Sequence, residues 1–152
     1  MRTLTLFFPL LFLSLGTLNA QQPKETTEDL TALAHQAELQ FLNGREQDAA
    51  RMYEYLLRYD RTHLQANIYL GNYHFLQAED EKAQLESAFR KLRRPTRMQR
   101  ARFQNRLVDI FSNHYTKAKG YLQQVLLSFP STQAEYALQK IGALEKALKR
   151  IR

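Results

Sequence analysis

The sequence predicts an all-α fold, a solenoid of antiparallel helix hairpins closed by a C-terminal capping helix. Three observations carry this. Apolar residues recur three and four apart, as an amphipathic helix requires, and no strand-like alternation or glycine pair interrupts them. The 152 residues include only 5 Gly and 4 Pro, too few for a turn-rich β fold. Markers also repeat with a period near 35. Ala49, Ala83 and Ala118 are 34 and 35 apart, and Pro95 and Pro130 are 35 apart. Thr62-x-x-Gln65 and Thr96-x-x-Gln99 are capping-box signatures 34 apart, and Thr132-x-x-Glu135 follows 36 further on.

Residues 1–20 read as an address rather than as fold. Arg2 precedes a run rich in Leu and Phe, and Leu18-Asn19-Ala20 ends it with a small residue before polar Gln21-Gln22-Pro23-Lys24. That is the layout of a secretory signal peptide cleaved after Ala20. An uncleaved anchor is the competing reading. The run is shorter than the roughly 20 residues that span a bilayer, and Pro9 interrupts it. No later run is long enough to span a membrane, so the chain is expected outside the cytoplasm, in the periplasm or secreted. Residues 21–27 are expected to be a flexible lead-in.

The repeat region, 28–130, divides into helices predicted at 28–43, 46–59, 63–77, 80–92, 97–112 and 115–128. The alanine near the start of each second helix suits a close crossing, which needs a small side chain. Gly71 falls mid-helix, where propensity alone disfavours it by about 1 kcal/mol. Close backbone contact explains it, with the helix starting near Asp80 as the expected partner. Residues 131–152 form the last helix. Ala134, Ala137, Leu138, Ile141, Leu144, Leu148 and Ile151 make its apolar stripe, and its Lys and Arg residues lie mostly elsewhere on the wheel. A solenoid end needs such an element, with one polar side.

These repeats resemble the tetratricopeptide repeat family. Asn67-Ile68-Tyr69-Leu70-Gly71-Asn72-Tyr73 followed by Ala83 carries the Leu-Gly and Tyr pattern of helix A and the Ala of helix B. Ala37, Gly44, Ala49, Tyr53 and Asp60 match in the first repeat, and Tyr115, Ala118, Leu122 and Phe129-Pro130 in the third. The resemblance covers roughly residues 29–130. It implies a right-handed superhelix and a concave surface, lined by the A helices, that holds partner peptides. Carried over residue by residue, that surface takes Ala34, Glu38 and Phe41 from the first repeat. It takes Gln65, Ile68, Tyr69, Asn72 and Phe75 from the second, although Ile68 and Phe75 suit core packing better. From the third it takes Arg100, Phe103, Leu107 and Ile110, or with a one-residue shift Arg102 and Arg106. The partner-binding candidates are Glu38, Phe41, Gln65, Tyr69, Asn72 and Arg100.

The net charge of +7 conceals an asymmetry. Residues 21–81 hold five bases and eleven acids, whereas 82–152 hold sixteen bases and four acids. Eight bases crowd into 90–106: Arg90, Lys91, Arg93, Arg94, Arg97, Arg100, Arg102 and Arg106, with no acid between Glu86 and Asp109. Like charges so close repel unless something anionic is near. Arginine's fork suits carboxylate or phosphate. An anionic lipid, a glycan or an acidic protein is the expected alternative partner, or the acidic end of a second copy. A leader argues against nucleic acid.

Catalysis finds no support. The chain has no cysteine, which excludes disulfides, thiolate metal sites and a thiol nucleophile. His35, His63, His74 and His114 lack metal-ligand spacing, and no nucleophile elbow or phosphate-cradling glycine loop appears. Glu79-Asp80-Glu81 reads as acids opening a helix, where they offset its dipole. The sequence therefore points to a non-catalytic protein-interaction scaffold of the cell envelope, without cofactor or metal.

Overall fold

In the computed structural model the described residues are 27–150. The expected leader and cleavage point, most of the expected lead-in and the last two residues lie outside them. Six α-helices follow in order: α1 (Thr27–Leu42), α2 (Glu46–Tyr59), α3 (Leu64–Arg90), α4 (Arg97–Ile110), α5 (Thr116–Ser128) and α6 (Thr132–Lys149). No strand occurs among the described residues, so the all-α fold is as predicted.

Local chemistry sets the ends of these helices. Gly44 has φ +74°, the left-handed conformation glycine takes without strain. Its N–H donates to the Phe41 carbonyl and the Arg45 N–H to the Gln40 carbonyl, both at 2.9 Å. This Schellman arrangement reverses the chain between α1 and α2. Thr96 and Gln99 form the expected capping box at the start of α4. The other two caps fall one residue away from the expected positions. Asp60 accepts from both the backbone N–H and the hydroxyl of Thr62, so His63 caps α3 instead, its Nδ1 accepting from the Ala66 N–H. Ser131 caps α6 in place of Thr132.

The middle of the chain departs from the predicted pattern. The break expected near 78–79 is absent, and α3 runs unbroken for 27 residues. Good helix formers fill that stretch, and neither glycine nor proline stops it. The break expected near 113–114 is a single π turn, Phe111–Tyr115, that leaves the helix continuous from α4 into α5. The burial pattern accounts for it. Ile110 and Tyr115 are both buried but five residues apart, so an uninterrupted α-helix would place them about 140° apart. The wider turn, closed by the Thr116 N–H on the Phe111 carbonyl, brings both to the same side.

Two long helical runs thus replace the second and third expected hairpins. α3 packs along α5, and α2 packs on the N-terminal half of α3. Gly71 lies against Leu122 of α5, not against the segment beginning at Asp80. Ala49 and Ala118 are buried as expected, whereas Ala83 is exposed because its segment is no longer a separate helix B. One core forms around Ala37, Tyr53, Leu56, Ala66 and Leu70, between α1, α2 and α3. The other forms around Ala78, Tyr115, Leu122, Val125 and Ile141, where α6 covers α5. Lys119 of α5 reaches Glu145 of α6 at 2.7 Å. Hydrogen bonds from Lys119 and Lys149 hold the Glu145 carboxyl down to about 2.

Beyond this body, the C-terminal half of α3 and the N-terminal half of α4 form an arm. No residue from 83 to 106 is buried. The arm is held by its own contacts, above all Phe89 against Phe103 with ring centroids 4.4 Å apart. Glu79 ties its base to the body. It accepts hydrogen bonds from Tyr115 of the π turn and from Lys140 of α6, while Glu81 faces His114 at 3.3 Å. The acids expected to open a helix are therefore mid-helix anchors.

Candidate functional site

Tyr69 organises the principal groove. It stands on α3 one turn before Tyr73, and their rings stack at 6.1 Å. Phe41 of α1 meets it edge-on at 5.4 Å, and Tyr53 of α2 lies at 4.8 Å. Its hydroxyl donates to the Glu46 backbone carbonyl at 2.9 Å, fixing α3 to the start of α2. Burial first, then the negative charge of Glu46, pushes the Tyr69 hydroxyl up to about 12. It therefore stays a neutral donor at any physiological pH.

Around this stack α1, α2 and α3 enclose a groove of about 360 Å³, lined by Glu38, Phe41, Glu46, Tyr53, Gln65, Ile68, Tyr69, Asn72, Tyr73 and Leu76. Its walls are aromatic and aliphatic. Besides the tyrosine hydroxyls, its polar side chains are two carboxylates and two amides, and no base lines it. Ile68, Leu76 and Phe41 stay well exposed there. An aromatic floor with adaptable amides at its edge is the composition that recognition surfaces favour.

Five of the six sequence-derived partner residues meet here: Glu38, Phe41, Gln65, Tyr69 and Asn72. Arg100 does not. It projects from the arm, where its Nε donates to the Pro95 carbonyl. The continuity of α3 is the reason, because it carries residues 80–110 away from the groove. Leu107 and Ile110 are buried at the base of the arm, Phe103 packs on Phe89, and Ala34 sits in the core. Phe75 packs against the core as expected, whereas Ile68 opens into the groove. Glu46, Tyr53, Tyr73 and Leu76 escaped the sequence reading. Tyr73 and Leu76 lie four and seven residues after Tyr69, on the same helical face, and that spacing could have found them.

All eight bases of 90–106 are exposed on the arm, and none forms an ion pair with a described acid. Arg102 and Arg106 border a shallow depression of about 200 Å³ floored by Leu85, Ala88, Phe89, Leu92 and Phe103. On the far side of α3 from the groove, His74 is buried between Tyr121 and His114, 3.7 Å from Glu54. Burial and the nearby Lys117 lower its pKa, so it is neutral. Among the described residues no cluster of acids and histidines is placed to hold a metal ion.

The fold is shared with a solved protein. A crystal structure from Bacteroides ovatus ATCC 8483 is 46% identical to this chain and superposes with a TM-score of 0.74. The match covers 78% of this chain and 58% of that one, so this chain spans less than two thirds of its length. That protein is described, provisionally, as a protein binding protein. No family model and no curated protein matches the chain.

Proposed function

We propose that this chain is an exported, non-catalytic protein-interaction module that holds a segment of a partner protein in the groove between α1, α2 and α3. In this reading the helices follow the tetratricopeptide order. α1 and α2 are one repeat, the N-terminal half of α3 and α5 are the next, and α6 caps the array. The arm is inserted between the two helices of the second repeat.

The observation that carries the reading is the convergence of Glu38, Phe41, Gln65, Tyr69 and Asn72 on one open aromatic groove. The description of the Bacteroides ovatus protein supports it. The groove's chemistry narrows the partner to a segment with an apolar anchor flanked by a base, since the charged groups lining it are Glu38 and Glu46. The leader-like residues 1–20 support export.

The test is capture of envelope proteins by the purified chain, followed by affinity measurement with the captured partner. Asn72→Ala and Ile68→Glu change exposed groove residues and should leave the fold intact. Each should weaken binding about tenfold or more. Arg93→Gln, Arg97→Gln and Arg100→Gln together should leave it unchanged. Binding indifferent to both groove variants would sink the proposal.

A further inference from the structure

The arm carries charge that the body does not answer. Its eight bases surround the tip rather than lining one face. Arg97 and Arg100 lie about 60° apart on α4, while Arg102 and Arg106 point to the other side, about 120–180° away. Arg93 and Arg94 add two more from the turn itself. A groove or a partner helix reads one face. A plane of phosphates meets the whole end of a hairpin.

Apolar side chains are interleaved with these bases. Leu92 and Met98 flank the turn, and Met98 is 64% exposed. A strip through Leu85, Phe89 and Phe103 continues back along the arm between Arg102 and Arg106. Exposed apolar side chains flanked by arginines are the pattern of elements that lie in the headgroup layer of an anionic bilayer. α2 packs on the opposite half of α3 and α1 packs on α2, placing their acids away from the tip, so the molecule's own charge asymmetry would turn the tip toward such a surface.

We infer that the arm tip docks on an anionic phospholipid membrane, its arginines on lipid phosphates and Leu92 and Met98 in the interfacial layer. This surface is separate from the groove, and its failure would leave the groove reading untouched.

Sedimentation with vesicles tests it. The chain should partition onto vesicles containing phosphatidylglycerol and not onto pure phosphatidylcholine. It should be released at about 1 M salt, where charges are screened beyond about 3 Å. Each base removed should cost about fivefold in partitioning, so Arg93→Gln, Arg97→Gln and Arg100→Gln together should cost about a hundredfold. Every variant is prepared from Gln21 onward, the form expected after export, so the apolar leader contributes to no lane of the assay. The chain has no tryptophan, so Met98→Trp supplies a lone tryptophan, excited apart from the tyrosines, whose emission should shift to the blue on anionic vesicles alone. Equal partitioning onto both lipids, undiminished binding by the triple variant, or an unshifted emission would overturn the inference. So would a triple variant that binds vesicles normally and instead loses self-association in sedimentation velocity. At constant, low ionic strength, inorganic phosphate should not displace the chain, and displacement there would mark a site for the free anion instead.

Discussion

Gly71→Ala decides which helix α3 packs against. A Cβ at residue 71 would lie 2.8 Å from Leu122 Cδ2 and 2.9 Å from Leu122 Cγ. Ordinary carbon contacts lie at about 3.5–4.0 Å. Leu122 is buried beside Ala118 and Val125, with little room to retreat. Overpacking of this kind costs about 1–3 kcal/mol. Helix propensity returns about 1 kcal/mol of that. The net expectation is destabilisation by about 1 kcal/mol. Leu122→Ala alone should cost about 3 kcal/mol, by opening a cavity. In the double variant the new Cβ enters the space that Leu122 vacated. The two costs should then fall short of additivity by about 1–3 kcal/mol. Urea unfolding of the four proteins, followed by circular dichroism, measures this. A Gly71→Ala variant stabilised by the full propensity gain, or a strictly additive cycle, would refute the contact between α3 and α5.

Other expectations follow from the same geometry. Burial alone would raise the Glu79 pKa, but hydrogen bonds from Lys140 and Tyr115 outweigh it and lower the value from 4.5. Its stabilisation is therefore complete above pH 4.5 and lost as pH falls through the lower folded value. Glu79→Gln should cost about 1–3 kcal/mol at neutral pH and flatten that acid limb in urea titrations. His74, with its pKa lowered from 6.5, acts in a higher window. The unfolded chain takes up a proton below pH 6.5 and the folded chain does not, so stability falls from there downward until the folded value is passed. His74→Phe should remove the melting-temperature change between pH 7 and 5, and an unaltered profile would exclude His74 as its source. Thr96→Ala removes the capping box, worth about 1 kcal/mol. Because no residue from 83 to 106 is fully buried, the loss should appear in hydrogen exchange as faster opening of the arm, with little change in global melting. Uniform acceleration over the whole chain would contradict an arm that opens separately.

The fold class and the groove were legible in the sequence, and the reason is local. The ends of α1 and α2 depend on Gly44 and on amphipathic spacing, both visible in a window of a few residues. Tyr69 and Asn72 lie on the same face of a helix that begins close to its expected start, so their convergence with Glu38 and Phe41 needed only the pairing of neighbouring elements. The arm was hidden for the opposite reason. A period near 35 suggested a break at 78–79, yet that stretch contains no breaking residue, and the contacts Glu79 makes there, with Tyr115 and Lys140, lie far along the chain. The π turn depends likewise on the mismatch between Ile110 and Tyr115, which matters only once both face α3. Arg100 followed the periodicity out of the groove and onto the arm.

A continuous α3 joins the two surfaces by a rod of fixed length. Asn72 and Arg90 are eighteen residues apart on that helix, about 27 Å at 1.5 Å per residue. A partner seated in the groove would therefore be held at a set height above whatever the tip touches. Adding seven residues to each strand of the arm, two helical turns, would raise that height by about 10 Å with nearly unchanged facing. Adding two would turn the tip by about 160° instead. With both surfaces engaged, the arm would act as a spacer whose reach and angle are written in residue count.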